Sequence, residues 1–264
     1  MSLPTTLVLG AIAGFTIFLG LPVARLKNPS LAWQAFLNAL ATGILVFLLW
    51  DILTKASEPI DAALEAARGG QAGGLVLLLT LFTGGLGAGL LSLVYLQRAA
   101  MRRPAEAAQP SQVPPAQLAL TVATGIGLHN FSEGLAIGQA SRSGALSLAA
   151  ILIIGFGLHN LTEGFGIAAP LTAARQRPAW AFLGLAGLIG GGPTFLGTVV
   201  GYGFQSEPAF VLCLALAAGS ILYVIGELLN VGRAFRRQEL AVWGLFLGFL
   251  AGYFTDLLLT WAGA

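Results

Sequence analysis

Charge is what this chain lacks most. Asp, Glu, Lys and Arg together make up 9% of its residues, against about one quarter in soluble domains, and its mean hydropathy is +0.84. That excludes an ordinary soluble domain and points to runs of about 20 apolar residues that cross a lipid bilayer. Cysteine is nearly absent as well. Cys213 alone excludes an internal disulfide and argues against a thiolate metal cage. The net charge of +2 is too small to suggest a nucleic-acid partner. No basic stretch precedes the first apolar run, so that run is expected to be a retained span and not a cleaved signal. Histidine is scarce too, with two in the chain, and their placement carries most of the information.

Apolar segments are present in quantity. Eight are expected as membrane spans, at about 5–24, 31–54, 73–97, 116–140, 145–169, 179–204, 208–230 and 239–262. The fold class is therefore an all-α polytopic bundle of eight transmembrane helices, forming a single membrane domain over 1–264. The 36 glycines fit this reading, because small residues let helices approach closely in lipid. Connections 1–2, 3–4, 5–6 and 7–8 hold ten basic residues: Arg25, Lys27, Arg98, Arg102, Arg103, Arg175, Arg177, Arg233, Arg236 and Arg237. The opposite side holds three, Lys55, Arg68 and Arg142. This bias places the first set in the cytoplasm and both termini outside, in a cytoplasmic (inner) membrane. Trp33, Trp50, Trp180, Trp243 and Trp261 fall near span ends, where amphipathic rings prefer to sit. The segment at about 98–115, rich in Pro, Ala and Gln, reads as a flexible cytoplasmic linker. The outward connection at about 55–72 contains Glu58, Asp61 and Glu65 and suits a short amphipathic helix.

Both histidines belong to a motif that occurs twice. His129-Asn130-Phe131-Ser132-Glu133-Gly134 lies in span four, and His159-Asn160-Leu161-Thr162-Glu163-Gly164 lies in span five, thirty positions later. Ionisable residues inside a membrane segment are costly and point to function. Four residues apart on a helix, His129 and Glu133 share a face, as do His159 and Glu163. Asn130 and Asn160 are each turned by about 100° from their histidine. Consecutive spans joined by a short turn are antiparallel neighbours, so the two copies meet near mid-depth around a pseudo-twofold axis. Two imidazoles, two carboxylates and two amides suit borderline divalent ions: Zn²⁺, Fe²⁺, Mn²⁺ or Co²⁺. They suit Ca²⁺ and Mg²⁺ less well. Bis-histidine haem ligation, and buried polar residues that merely join helices, are the competing readings.

These two stretches, H-N-F-S-E-G-L-A-I-G and H-N-L-T-E-G-F-G-I-A-A-P, resemble the signature of the ZIP (Zrt/Irt-like) divalent metal transporters. The prokaryotic branch, with H-N-x-P-E-G in both helices, is the nearest in pattern. A-A-G-S-I-L-Y-V-I-G-E-L at 217–228 resembles that family's span seven. The resemblance implies eight spans, both termini outside and inward movement of metal by alternating access. It implies a metal site at His129, Glu133, His159 and Glu163, an adjacent second site using Asn130 and Asn160, and Glu227 on the route to the cytoplasm. It also implies that the divalent metal is cargo, with Zn²⁺ favoured and Fe²⁺, Mn²⁺ or Cd²⁺ as alternatives. No organic cofactor or enzymatic activity is implied, and a homodimer is allowed. Three departures stand out. Ser132 and Thr162 replace the motif prolines, Gly192 stands before Pro193 where a glutamate would complete the second site, and the cytoplasmic loop has no histidine.

Other membrane acids are candidates for the pathway. Asp51 and Asp256 fall near outer span ends, and Glu227 near the inner end of span seven. Gly190 to Thr194 is a candidate hinge or unwound patch, with close packing as the alternative. A haem-binding redox protein and a membrane metalloenzyme are the competing functions.

Overall fold

The computed structural model describes residues 2–26, 29–101, 114–142, 146–175, 177–204 and 206–261. Lys27, Arg102, Arg103 and most of the expected linker at 98–115 lie outside the described residues. The described residues form eight helices: α1 (Leu3–Arg25), α2 (Leu31–Arg68), α3 (Ala72–Met101), α4 (Pro115–Arg142), α5 (Leu146–Ala173), α6 (Trp180–Gly203), α7 (Glu207–Ala234) and α8 (Gln238–Trp261). All except α4 and α5, the two that carry the paired motif, are long and apolar enough to cross a membrane, judged on described residues.

Local chemistry sets the helix ends. Ser2, Ser30 and Ser206 accept from the amides of Thr5, Trp33 and Ala209, each satisfying an orphan donor of a first turn. Helix α1 is broken at Thr16, whose hydroxyl bonds the Ala13 carbonyl at 2.7 Å, and it finishes as a 3-10 turn over Leu21–Arg25. Helix α2 departs from the expected span. It does not stop near residue 54 but runs through Pro59 to Arg68, so the outward connection continues the same helix. Ion pairs along that extension, Lys55–Asp51 at 2.7 Å and Arg68–Glu65 at 2.6 Å, support it, and Gly70 ends the turn at φ +94°.

Glycines decide which helices touch. A Cβ at Gly134 of α4 would strike the Thr194 carbonyl of α6, and one at Gly197 of α6 would strike the Phe131 carbonyl of α4. The same reciprocal pattern joins α2 to α8 through Gly43 and Gly248, α3 to α7 through Gly89 and Gly219, and α1 to α6 through Gly14 and Gly191. At each crossing the two backbones approach until no side chain fits between them. Packing is densest within two groups, α1/α4/α5/α6 and α2/α3/α7/α8. A core of Ile126, Ile167, Ile221, Val224 and Leu228 joins them.

One end of the bundle gathers the ends of alternate connections. Arg25 bonds the Pro178 carbonyl and lies over the Trp180 ring, and Gln117 of α4 donates to Gln97 O of α3. At the opposite end Arg142 donates to Tyr202 O. All five tryptophans are exposed, from Trp33 at 49% to Trp261 at 87%, as expected for rings that face lipid or headgroups.

Candidate metal site

Helices α4 and α5 place their two motif copies side by side. His129, Asn130, Glu133, His159, Asn160 and Glu163 are all buried, none more than 6% exposed, in the interior of an otherwise apolar protein. Glu133 Oε1 lies 3.1 Å from His129 Nε2 and 3.9 Å from His159 Nδ1, so a single carboxylate oxygen sits between the two imidazoles. Glu163 Oε1 lies 3.8 Å from His129 Nε2. Glu163, His129, Glu133 and His159 therefore form a chain of contacts. As they stand, no three His, Cys, Asp or Glu among the described residues form a finished cation shell.

The chain of contacts leaves many polar atoms unsatisfied. Beyond the His–Glu ion-pair contacts, both ring nitrogens of His129 and His159, both carboxylate oxygens of Glu133 and Oε1 of Glu163 are buried and make no hydrogen bond. Buried polar groups are nearly always hydrogen-bonded, so this concentration of orphans is the most unusual feature of the interior. Donor separations of 3.1 to 3.9 Å bracket the spacing of about 3.3 Å between ligands that sit about 2 Å from a tetrahedral ion. Two carboxylates would also neutralise a dication.

The asparagines act differently from the histidines. Asn130 Nδ2 donates to Asn160 Oδ1 at 2.5 Å, Glu163 Oε2 at 3.0 Å and Gly190 O of α6 at 3.0 Å. Asn160 Nδ2 donates back along its own helix to Phe156 O. The pair ties the two motif copies together and anchors them to α6, a function that the sequence pattern did not reveal. Helix α6 brings a backbone carbonyl to this flank but has no acidic residue of its own, and a Cβ at Gly192 would face open space.

Ser132 and Thr162 make the same bond in both copies. Their hydroxyls donate to His129 O at 2.6 Å and His159 O at 2.7 Å. Such back-bonding bends a helix slightly without breaking it, and α4 and α5 run unbroken through the motif. Helix α6 is likewise continuous across Gly190–Thr194, where Gly190 and Gly191 pack on Ile17 and Gly14.

The candidate pathway residues are not part of this chain of contacts. Asp51 is paired with Lys55. Asp256 is half-buried on α8. Glu227 is half-buried on α7, one turn after Tyr223.

No curated protein matches the chain. A family model described as Zip: ZIP Zinc transporter matches residues 96–255, a stretch that holds both motif copies, Glu227 and most of α8. With the family model spanning well over half of its length, the chain belongs to the ZIP zinc transporter family.

Proposed function

We propose that this protein carries a divalent transition-metal ion, Zn²⁺ ahead of Fe²⁺, Mn²⁺ or Cd²⁺, inward across a cytoplasmic membrane. His129, Glu133, His159 and Glu163 hold the ion, and Asn130 and Asn160 position the two halves of the site. One observation carries this reading. Two antiparallel copies of a single motif link four metal-capable side chains through three contacts of 3.1 to 3.9 Å, buried and short of hydrogen bonds. A cation supplies what those donors lack. The burial also implies that an ion arrives and leaves only when helices shift, which is alternating access. Asp51 and Asp256 would guide the ion on the outer side, and Glu227 on the inner side. With Gly192 in place of a carboxylate, the neighbouring second site is weak or absent.

A haem reading finds less support. A porphyrin held between the histidines needs open space there, and Glu133 Oε1 fills it, contacting one ring at 3.1 Å and approaching the other at 3.9 Å. A metalloenzyme would need a substrate cleft beside the metal, and the four side chains are closed over by apolar packing.

Uptake into proteoliposomes, comparing Zn²⁺, Fe²⁺, Mn²⁺ and Cd²⁺, tests the proposal. Flux is expected for wild type, with a loss of at least tenfold for Glu133→Ala and for Glu163→Ala. Flux that survives either substitution would remove that residue from the site. No flux from well-folded wild type would overturn the transporter reading.

A further inference from the structure

A second built feature lies far from the paired motif, at the arginine-rich end of the bundle. Between the start of α2, the end of α7 and the start of α8 is a cavity of about 580 Å³. Its rim carries Arg233, Arg236 and Arg237, and its walls are Ala39, Leu229 and Ala241, with Asn38 at the base. Among the described residues, no acidic side chain lines it. The floor is fixed, because Asn38 donates to Leu228 O at 2.9 Å and thereby ties α2 to α7. Arg236 sits at φ +53°, in a left-handed turn that stops α7 just before α8 begins.

Three cations over an apolar slot exclude some occupants. A metal dication would be repelled, so this is not a branch of the ion route. A neutral lipid would leave the arginines unmatched. The depth also matters. Trp33 in the first turn of α2 is 49% exposed and Trp243 in the second turn of α8 is 60% exposed, and such rings mark the headgroup level of a bilayer. Arg233 in the last turn of α7 and Arg236 and Arg237 in the connection to α8 lie at the same end of the bundle as these rings, while Leu229, exposed at 43%, continues toward the hydrocarbon. A cationic rim at headgroup depth above an apolar wall matches an amphiphile with an anionic head.

We propose that this cavity binds one anionic phospholipid, its phosphodiester held by Arg233, Arg236 and Arg237 and its first chain carbons lying against Leu229 and Ala241. Basic residues near an anionic membrane surface each change affinity about fivefold, so losing all three should weaken binding on the order of a hundredfold.

The test is lipid retention by native mass spectrometry of protein from nanodiscs that contain phosphatidylcholine with or without phosphatidylglycerol. Wild type is expected to retain one phosphatidylglycerol in preference to phosphatidylcholine. The triple variant Arg233→Gln, Arg236→Gly, Arg237→Gln should lose that preference. Glycine suits the left-handed turn at 236, and the three side chains are exposed, so folding should be preserved. Ala241→Phe, which fills the slot without altering charge, should lose retention as well, and Arg175→Gln should not. Equal retention of the two lipids, or full retention by the triple variant, would overturn the proposal. Displacement of the lipid by millimolar inorganic phosphate would show a free-anion site and overturn the lipid assignment. Metal flux plays no part in this readout, so its outcome is separate from that of the transport reading.

Discussion

Glu133 and Asn130 perform opposite tasks at one site. Glu133 brings oxygens whose polar contacts are the two imidazoles, while Asn130 shares its two amide protons among three acceptors and keeps them together. Replacing Asn130 by Asp would exchange the donor for another acceptor and turn four oxygens toward one point. Leaving such groups unpaired costs about 1–3 kcal/mol, and the added charge raises that cost. Asn130→Asp should therefore melt below wild type in the presence of chelator. Added Zn²⁺ should raise its melting temperature more than it raises that of wild type, because a cation can replace the lost protons. Asn130→Ala should lose stability without that extra rescue. Scanning fluorimetry in detergent with and without Zn²⁺ separates the three proteins. An Asp variant that melts like wild type in chelator would mean that the Asn130 amide is turned the other way. The two histidines and two glutamates were legible in the sequence because their spacing puts them on shared helix faces. The role of Asn130 was not, since it depends on a carbonyl sixty residues away, at Gly190.

At the scale of helices, the sequence announced eight apolar segments but, apart from spans four and five, not their neighbours. Hydrophobic periodicity says that a segment is buried and is silent on what lies against it. Here that choice rests with the glycines. Gly134 and Gly192 make a controlled comparison. A methyl group at Gly134 meets the Thr194 carbonyl and the Thr198 amide, both backbone atoms that cannot turn away. A methyl group at Gly192 meets nothing. Gly134→Ala should cost about 1–3 kcal/mol or prevent folding. Gly192→Ala should be neutral or gain up to about 1 kcal/mol through its better helix propensity. Thermal melting of the two variants in the same detergent checks both directions. Comparable losses would mean that α6 packs against a further surface at Gly192. The long α2 was unreadable for a different reason. Pro59 and a run of charged residues after residue 54 look like a span ending in a loop, whereas i,i+3 and i,i+4 ion pairs carry the helix on to Arg68.

At the scale of the whole molecule, the two helix groups meet across a sparser boundary than the packing inside either one. The paired motif belongs wholly to α4 and α5, in the first group. If this group moves against α2, α3, α7 and α8 to expose the ion first to one side and then to the other, a bond across the boundary should stop transport. Ala41 of α2 and Gly166 of α5 offer such a bond. A Cβ at Gly166 would lie 3.8 Å from the Ala41 Cβ, a separation near the average of about 3.8 Å in disulfides. Cys213 is the sole native thiol and can be replaced by Ala so that only the new pair reacts. Ala41→Cys with Gly166→Cys in that background should transport when reduced. It should lose most of its flux when oxidised and recover on addition of reductant. Each single-cysteine variant should be insensitive to oxidant. Full flux through a completely cross-linked protein would show that the ion crosses without relative motion at this point. The site would then have to open by rearrangements within α4 and α5 alone, and the glycines around the motif, not the boundary between the groups, would be the place to look for the moving parts.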